Sequence, residues 1–457
     1  MIKINRAILG ALISFLLLSC DSDSGSSGGA PGPGDQKQWN ILMIAIDDLN
    51  NWTGHLGSHP NSLTPNLDRM AAAGLSFRHA YAAAPACNPS RTALFTGVRP
   101  STSGVYRNGD DYLPALRTYE TLPMYLSRNG YTTLSTGKLF HKPAANPEFF
   151  GTDYSPSGNY GSSVRLNGIP ALSNNFDWGP LATQDDATPD FDKANWAAQQ
   201  LQSDLQEPFF LAVGIFRPHL PWYVPQAYFD MFPINEVQLP PGYDANDLND
   251  IPAGGMMGLT QDHPIITAAD GWHEGIQAYL ASVAYADAVV GRIYNAVLNS
   301  QYRDNTIIVL WGDHGWQLGE KERWRKFSLW AAGCKTTFIM IVPGVTPAGQ
   351  IVNTPVDLLS IYPTLLELAG LPANTQNEGV SIVPILNNPN TVWQHPAITT
   401  SQEEEHSVRL SNWSYIRHPG GEEQLYDHIN DPHEWTNLGE LPETEATRAT
   451  LRALLPQ

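Results

Sequence analysis

The chain has 457 residues, enough for one large α/β domain or two ordinary domains with a sizeable buried core. Hydrophobic residues make up 42% of it and aromatic residues 10%, which excludes a disordered or fibrous chain. The formal net charge of −19 excludes nucleic-acid binding through a globally basic surface, so nucleic acid is not an expected partner. Three cysteines are too few for a disulfide framework, and each thiol needs its own explanation.

The first 37 residues have the pattern of an export signal followed by a tether. A basic head precedes the apolar run 7–18, which is too short to span a membrane. The run ends in Leu-x-Ser-Cys, which resembles the lipobox of bacterial lipoproteins. We therefore expect a signal peptide over 1–19, lipidation of Cys20, and a Ser/Gly/Pro-rich flexible tether over 20–37. An ordinary signal peptide that happens to contain a cysteine is the alternative.

Lipidation of this kind would place the protein outside the cytoplasm. The expected location is the periplasm or the outer membrane or cell surface, and the N-terminal lipid is the only expected contact with a membrane. No other run in the sequence is long and apolar enough to span one.

From residue 38 onward, apolar runs alternate with helical segments, a pattern typical of a mostly parallel sheet covered by helices. The predicted strands are residues 39–46, 131–136, 209–216 and 305–310, and the predicted helices are residues 65–73, 119–128 and 274–298. Short antiparallel strands are predicted at 408–410, 413–417 and 424–426. The fold class is therefore α/β, with a large mixed, mostly parallel sheet over 38–371 and a smaller antiparallel α+β subdomain over 372–457.

Polar residues that can do chemistry follow several predicted strands at the point where each strand ends. Ligands of open α/β sheets bind at this carboxyl edge. We therefore expect side chains from separate parts of the chain to meet in one site. They are Asp47 and Asp48, Lys138, His219, and Asp313 with His314.

Cys87 belongs to the segment Cys-Asn-Pro-Ser-Arg, which opens a predicted helix. Pro89 and Ser90 place Cys87 at or just before the helix N-terminus, where unpaired N–H groups favour an anion. Arg91, on the first turn, can bring a fixed positive charge back toward the thiol. A small buried hydrophobic residue is the plainer interpretation of a lone cysteine.

Cys-x-Pro-Ser-Arg, followed by Thr and a closing Thr-Gly, resembles the signature of the type I sulfatases of the alkaline phosphatase superfamily. The segments Gly-Lys-x-Phe-His at 137–141, Arg-Pro-His-x-Pro at 217–221 and Gly-Asp-His-Gly at 312–315 resemble the iduronate-2-sulfatase-like branch. The resemblance implies that Cys87 is oxidised to formylglycine by a formylglycine-generating maturation enzyme, which reads Cys, Pro and Arg at this spacing. The catalytic domain would then be a sulfuric ester hydrolase.

One Ca²⁺ ion is implied by the same resemblance. Two adjacent aspartates after a strand could, by themselves, form a cap or a turn. Three carboxylates that converge at one edge need a cation to offset their repulsion, and oxygen ligands suit a hard ion. His314 is the softer donor and could coordinate or only form a hydrogen bond. The implied ligands are Asp47, Asp48, Asp313, His314 and residue 87.

The resemblance also assigns roles around the sulfate group. Lys138 and Lys326 would bind it and, with Arg91, offset charge on the sulfuryl oxygens. His219 would protonate the leaving-group oxygen, and His141 would assist the hydrated aldehyde of residue 87. Arg325 competes with Lys326 for its role. In this mechanism one hydroxyl of the hydrate attacks sulfur, and the second allows sulfate to be expelled and the aldehyde restored. A solvated turn at Lys138 and His141, and a packed loop histidine at His219, are the plainer interpretations.

The identity of the substrate is the property that the sequence specifies least. An exported, lipid-anchored sulfatase implies a sulfated carbohydrate, and we expect an algal polysaccharide or its oligosaccharides, with a glycosaminoglycan as the alternative. Trp222, Tyr223 and Trp324 could stack on sugar rings, with Trp222 the expected substrate contact, although tryptophans after strands are also ordinary packing residues. The stretch 329–339 departs from the family pattern, which leaves the pocket rim open to question, and Cys334 within it is most simply a buried structural thiol.

Two further interpretations stay open at this stage. The related fold and metal site can serve phosphoesters or phosphonates as well as sulfate esters. A different class is a non-catalytic glycan-binding surface lipoprotein whose Cys87 is never matured.

Overall fold

The computed structural model describes residues 38–155, 161–258 and 260–456. The signal peptide, the lipidated Cys20 and the tether lie outside these residues and stay predictions. Residues 38–457 form one compact unit, and the division predicted at residue 372 is likewise untested.

The strands of the described residues follow the apolar runs of the sequence. In chain order they are β1 (Asn40–Ile46), β2 (Leu75–Phe77), β3 (Ala80–Tyr81), β4 (Thr132–Gly137), β5 (Thr152–Tyr154), β6 (Trp178–Leu181), β7 (Phe209–Ile215), β8 (Trp222–Pro225), β9 (Thr306–Gly312), β10 (Gln317–Leu318), β11 (Trp324–Arg325), β12 (Lys335–Thr336), β13 (Phe338–Ile341), β14 (Gln350–Val352), β15 (Val356–Asp357), β16 (Ala397–Gln402), β17 (Glu405–Leu410), β18 (Trp413–Arg417) and β19 (Glu423–Asp427).

The α-helices fill the intervals between them. They are α1 (Pro65–Ala73), α2 (Cys87–Thr96), α3 (Pro100–Ser103), α4 (Leu113–Thr118), α5 (Leu122–Arg128), α6 (Asn146–Phe149), α7 (Pro189–Leu201), α8 (Gln226–Phe229), α9 (Ala253–Met256), α10 (Asp262–Ala268), α11 (Trp272–Leu298), α12 (Ala331–Cys334), α13 (Ile361–Leu368), α14 (Val383–Asn387) and α15 (Glu445–Arg452).

Eight strands form the main sheet, in the order β14-β2-β13-β9-β1-β7-β4-β5. β1 lies near its centre and pairs in parallel with β7 on one side and β9 on the other, and β4 pairs in parallel with β7. β13 runs antiparallel to both of its neighbours. The prediction of a large mixed, mostly parallel sheet is therefore confirmed.

Every residue of β1 is buried because helices cover both faces of the sheet. Side chains alternate along a strand, so Leu42 and Ile44 join one core layer with α11, while Ile41 and Met43 join the other with α13. This explains why the sequence shows a continuous apolar run here rather than an alternating one.

The helix predicted from residue 119 is shorter than expected. A separate helix, α4, ends at Thr118, and α5 starts only at Leu122, with Pro123 in its first turn. Proline is tolerated at that position because the first N–H groups of a helix have no partner within it.

The last four strands form an antiparallel sheet in the order β16-β17-β18-β19, in which β17, β18 and β19 were predicted and β16 was not. Arg409 of this sheet is fully buried, and its guanidinium lies over the ring of Tyr81 and donates to the carbonyl oxygen of Leu329. The C-terminal sheet is thereby fixed against the segment that carries Lys326. Among the described residues, no helix combines the length and the apolar character needed to cross a bilayer.

Candidate active site

Four neighbouring parallel strands, β9, β1, β7 and β4, end at one edge of the main sheet. The polar residues that the sequence placed after each of them therefore meet, as predicted. The side chain of His219 is 26% exposed at this edge. The other residues of the set are buried there: Asp47, Asp48, Lys138, Asp313 and His314.

Cys87 is the first residue of α2 and has no exposed surface. Burial alone would raise the pKa of its thiol, but the positive charges of Lys138 and Lys326 outweigh burial and the net pKa is lowered. The helix N-terminus also favours negative charge at this position. The surroundings of residue 87 are therefore built to stabilise an anion.

The carboxylates of Asp47, Asp48 and Asp313 lie within 4.8 Å of one another and are fully buried. Oδ2 of Asp48 is buried and has no hydrogen-bond partner among the described residues. Burial, together with the charges of Cys87 and Asp47, raises the pKa of Asp48 to about 8, although Lys326 opposes this. A cation at the unpaired oxygen would remove this conflict, because it favours the charged carboxylate.

His314 fits the same cation. Its Nδ1 lies 2.8 Å from the carbonyl oxygen of Gly315, so this nitrogen carries the proton and donates it. The Nε2 lone pair then faces Oδ1 of Asp48 at 3.3 Å and Sγ of Cys87, also at 3.3 Å. A neutral imidazole fixed in this way by its second nitrogen is the usual arrangement of a metal-ligating histidine. The donor set therefore fits a hard cation with one nitrogen ligand.

Arg91 holds two of these carboxylates in place. Its Nε donates to Oδ2 of Asp313 at 2.8 Å and its Nη2 to Oδ1 of Asp47 at 3.3 Å, while Nη1 donates to the carbonyl oxygens of Lys138 and Leu139. The side chain is fully buried. Its predicted role of offsetting charge on the sulfuryl oxygens stays a prediction. Its donors are already engaged, and it acts as a positioning residue for Asp47 and Asp313.

Two lysines reach the site from distant segments, as predicted. Nζ of Lys138 lies 2.5 Å from Oδ2 of Asp47. Nζ of Lys326 lies 2.6 Å from Oδ1 of Asp48 and 2.8 Å from Sγ of Cys87. Lys326 is thus the cation in direct contact with both the nucleophile position and a carboxylate of the cluster.

Arg325 points elsewhere, so its assignment as a substrate-binding competitor of Lys326 is wrong. Its guanidinium pairs with Asp262, at 2.8 and 3.1 Å, donates to Ser173 and lies over the ring of Phe176. Successive residues of β11 and the turn after it project in different directions, which sequence spacing alone did not resolve.

His219 is held in one orientation beside the cluster. Its Nδ1 lies 2.6 Å from the carbonyl oxygen of Leu220 and donates to it, which leaves Nε2 facing Oδ2 of Asp48 at 3.8 Å. A ring nitrogen of His219 also lies within 4.8 Å of Sγ of Cys87. Burial lowers the pKa of His219, although Asp47 opposes this, so the free ring is neutral at pH 7.

The backbone around His219 is supported by two residues that the sequence analysis missed. Asp190 of α7 accepts hydrogen bonds from the N–H groups of Phe216 and Arg217. Arg217 in turn donates to the carbonyl oxygen of His219 at 3.0 Å. Asp190 offers no sequence signal for this role, because it lies on a helix far from the loop in the chain.

Tyr279 of α11 is a third missed residue. Its hydroxyl donates to the carbonyl oxygen of Asp48 at 2.9 Å and accepts from the N–H group of Asn50 at 3.0 Å. Asp48 has a positive φ of 60°, which is strained for a residue with a side chain. Tyr279 therefore stabilises the backbone conformation that turns Asp48 into the site.

His141 lies near the cluster without a contact that fixes its role. Its Nδ1 is buried and has no hydrogen-bond partner in the described part of the chain. Burial and the charge of Lys138 lower its pKa to about 4. The neutral ring is compatible with accepting a proton, and its predicted role at the aldehyde stays a prediction.

Trp222 does not bind substrate, contrary to the prediction, because it has no exposed surface. Its ring packs among those of Phe176, Trp316 and Trp324, and its Nε1 donates to the carbonyl oxygen of Pro218. Trp324 and Tyr223 are buried as well. These aromatic residues form part of the core beneath the site and cannot stack on a sugar ring.

Cys334 is buried without exposure, as expected for a structural thiol. Burial raises its pKa to about 11, and its Sγ donates to the carbonyl oxygen of Ser328. Its thiol therefore stays protonated and unreactive at neutral pH.

Known proteins match this chain over most of its length. Residues 39–371 match the protein family described as Sulfatase. A Formosa agariphila protein described as a sulfatase is 38% identical over 454 residues, which cover 92% of this chain and 86% of the relative. Human iduronate 2-sulfatase is 29% identical over 383 residues, covering 73% and 69% of the two chains. A Formosa agariphila ulvan-active sulfatase is 25% identical over 473 residues, covering 98% and 85%.

Among solved structures, the phosphonate monoester hydrolase of Agrobacterium radiobacter superposes with a TM-score of 0.73 at 22% sequence identity. The similarity covers 91% of this chain and 96% of the hydrolase. At this identity the likeness shows a shared fold and nothing about the substrate.

Proposed function

This chain belongs to the sulfatase family and is a sulfuric ester hydrolase. From that premise we propose how its site works and which substrate it acts on. Residue 87, matured to formylglycine, is the nucleophile, and one Ca²⁺ ion binds beside it. The substrate is a sulfated carbohydrate. The observation that supports this proposal most directly is the contact of Lys326 with both Cys87 and Asp48 at the N-terminus of a buried helix.

The residues that would hold Ca²⁺ are those of the carboxylate cluster with one imidazole. Oxygen ligands at a buried, strongly acidic position suit this ion. When bound, it supplies positive charge that stabilises negative charge developing at residue 87. The proposed ligands are Asp47, Asp48, Asp313, His314 and residue 87, in which the sulfur of Cys87 occupies the place of the matured side chain.

Charge on the sulfuryl group is offset by the two lysines. Lys326 lies 2.8 Å from the nucleophile position, and Lys138 approaches the same cluster through Asp47. Both ammonium groups are buried, so they act in a low dielectric and need little reorganisation during the reaction. Arg91 contributes indirectly, because it holds Asp313 and also Asp47, the carboxylate to which Lys138 binds.

His219 is the proposed proton donor to the leaving alcohol oxygen. Its Nδ1 is committed to the carbonyl oxygen of Leu220, so Nε2 is the ring atom that exchanges a proton with substrate. The pKa of the free ring is lowered by burial, and a bound anion favours the protonated form needed for donation. His141 is the proposed acceptor of the proton from the second hydroxyl of residue 87.

An algal polysaccharide or its oligosaccharides are the proposed substrates. Support comes from the ulvan-active sulfatase of Formosa agariphila, which matches along nearly the whole of this chain. Iduronate 2-sulfatase supports the glycosaminoglycan alternative over a shorter part of the chain.

Free sulfate released from ulvan oligosaccharides and from heparin oligosaccharides separates these substrates. The protein is produced with a formylglycine-generating enzyme, and C87A is the matched control. We expect release from the ulvan oligosaccharides that C87A abolishes. Release confined to heparin oligosaccharides would transfer the proposal to glycosaminoglycans, and release by C87A at the wild-type rate would refute the nucleophile.

We also propose export with lipidation at Cys20, supported by the Leu-x-Ser-Cys sequence at 17–20. In a Gram-negative host the wild-type protein should partition into detergent and the C20A variant into the aqueous phase. Equal partitioning of both proteins would refute the anchor.

A further inference from the structure

A cavity of about 420 Å³ lies beside the nucleophile position. Its lining includes none of the residues to which a catalytic or metal-binding role is given above. Two of its walls continue directly from the site. Pro85 and Ala86 precede Cys87, and Phe327 and Ser328 follow Lys326. The far wall belongs to the C-terminal antiparallel sheet and includes Glu405. The volume falls in the range of small-ligand sites.

Phe327 presents an exposed aromatic face at this cavity. The residue is 49% exposed, although it stands between two buried ones, Lys326 and Ser328. Its φ is +74°, a left-handed conformation that is costly for a bulky residue. A hydrogen bond from its N–H group to the carbonyl oxygen of Pro85 stabilises this conformation.

The strain at Phe327 has a structural consequence. It turns the ring away from the core in which Trp324 is buried and toward the space beside the site. Phe327 also lines a smaller cavity of about 220 Å³ together with Lys326. Backbone strain of this kind persists where surrounding contacts enforce it, and it concentrates at functional sites.

Glu405 on the opposite wall is held by a chain of hydrogen bonds. Nδ1 of His418 donates to its Oε1 at 3.0 Å, and Nε2 of His418 accepts from Nε2 of Gln424 at 2.7 Å. Oε1 of Gln424 accepts from Nε1 of the buried Trp330 at 2.9 Å. Oε2 of Glu405 has no hydrogen-bond partner among the residues that the structure describes. The cavity is therefore bordered by a fixed carboxylate with an acceptor atom available to a ligand.

Two arginines also line the cavity. The guanidinium of Arg323 donates to the carbonyl oxygens of Gly255, Met257 and Gly258, and it is buried. Arg107 is exposed and donates to Gln402. Burial lowers the pKa of Arg323 to about 10 and the nearby charge of Glu405 opposes this, so the buried guanidinium lies close to the carboxylate, whereas Arg107 places positive charge at the exposed side.

Resting on the proposed function, the geometry points to a sugar-ring subsite in this cavity. The apolar C–H face of the ring packs on Phe327, and ring hydroxyls donate to Glu405. The ring carries, or directly adjoins, the sulfate ester. The carboxylate repels a second anion, so the preferred ring bears free hydroxyls rather than a further sulfate or carboxylate on the side that faces Glu405. This assigns to Phe327 the stacking role that the buried Trp222 cannot perform.

Binding can be measured without turnover in the C87A background. Isothermal titration uses a monosulfated ulvan oligosaccharide and, separately, inorganic sulfate. We expect F327A to raise the Kd of the oligosaccharide about tenfold, because the contact with one ring face is lost, and F327Y to restore it. The Kd of inorganic sulfate should not change, because sulfate does not reach the ring platform.

The matched control is V392A, which truncates an apolar side chain that is 83% exposed outside the cavity lining. Equal Kd values for C87A and C87A/F327A, or an equal loss of oligosaccharide and sulfate binding, would overturn the subsite. Failure of C87A to bind the oligosaccharide would overturn it as well. If the wild-type enzyme releases no sulfate from the oligosaccharide while F327A still weakens its binding, the proposed activity on this substrate fails and the subsite stands.

The role of Glu405 is tested by the preference of the enzyme between substrates that carry one or two sulfate groups. E405Q keeps an acceptor oxygen and removes the charge. For the test, kcat/KM is measured with a monosulfated and with a disulfated oligosaccharide of the same backbone. We expect the ratio of the first value to the second to fall about tenfold in E405Q, because the charge that repels the second sulfate is lost. An unchanged ratio would refute the role of the carboxylate in selecting the ring.

Discussion

Nζ of Lys326 lies 2.8 Å from Sγ of Cys87, although 239 positions separate the two residues in the chain. The same ammonium group lies 2.6 Å from Oδ1 of Asp48. One buried lysine therefore connects the nucleophile position to the carboxylate cluster. Its loss should affect both the charge at residue 87 and the order of the cluster.

Replacement of Lys326 is expected to lower kcat/KM for sulfate release. We predict a loss of about 100- to 1,000-fold for K326A, the range seen when one preorganised charge-stabilising donor is removed. R325A is the matched control, because the neighbouring Arg325 pairs with Asp262 outside the site. Comparable losses in both variants would show that the strand β11 region, rather than the ammonium group, is responsible. Circular dichroism of each variant checks that it is folded.

Tyr279 is expected to stabilise Asp48 rather than to take part in the chemistry. Y279F leaves the carbonyl oxygen of Asp48 and the N–H group of Asn50 buried and unpaired, which should cost about 1–3 kcal/mol of unfolding free energy. It should also weaken Ca²⁺ affinity. Y302F is the control, since Tyr302 is an equally buried tyrosine that bonds to Ser203 and Leu205. Y302F should lose stability and keep Ca²⁺ affinity, and a loss of both in each variant would contradict a specific role.

Sequence reasoning recovered the parts of the site that lie next to strand ends. Asp47, Lys138 and Asp313 could be placed because the carboxyl edge of a parallel sheet brings such residues together. It could not place Tyr279 or Asp190, because their partners are far away in the chain and a buried hydrogen bond leaves no local pattern. It also misjudged Trp222, since an aromatic residue after a strand looks the same in sequence whether it packs or binds.

The exposed Phe327 could not have been chosen from its neighbours. The run 324–327 has neither helical nor strand periodicity. Arg325 and Phe327 have positive φ values, so their side chains point in directions that a regular strand would not give. Only the conformation of the backbone shows which of these residues reaches the site and which is buried.

Removal of Ca²⁺ is expected to destabilise the protein as well as to stop the reaction. Without a cation the buried carboxylates of Asp47, Asp48 and Asp313 repel one another, and Oδ2 of Asp48 has no partner among the described residues. Free Ca²⁺ at a hundredfold excess over its Kd should add about 3 kcal/mol to the unfolding free energy. Calorimetry in EGTA, with Ca²⁺ added back, measures this. An identical Tm with and without Ca²⁺, or an equal shift in D48N, would contradict the site.

Acid should destabilise the fold through His59. This residue is 2% exposed and stacks on Trp52, and burial lowers its pKa from 6.5 to about 4. Between these values the unfolded chain binds more protons than the folded one. The contribution of His59 is therefore complete above pH 6.5 and is lost as the pH falls through 4.

Urea unfolding at pH values from 7 to 4 measures this effect. One proton changes the unfolding free energy by at most about 1.4 kcal/mol per pH unit. The non-titrating variant H59Q should be less stable at pH 7 and should show a shallower decline toward pH 4. Parallel declines in the two proteins would contradict the assignment to His59.

Repeated turnover in the matured enzyme and in C87S tests the central claim most directly. Free sulfate is counted per mole of enzyme on the best oligosaccharide substrate, with formylglycine at residue 87 of the wild type verified by peptide mass. The account predicts many turnovers for the formylglycine enzyme and no more than one sulfate per molecule for C87S, because a serine ester has no second hydroxyl with which to expel sulfate. Sustained multiple turnover by C87S would contradict it.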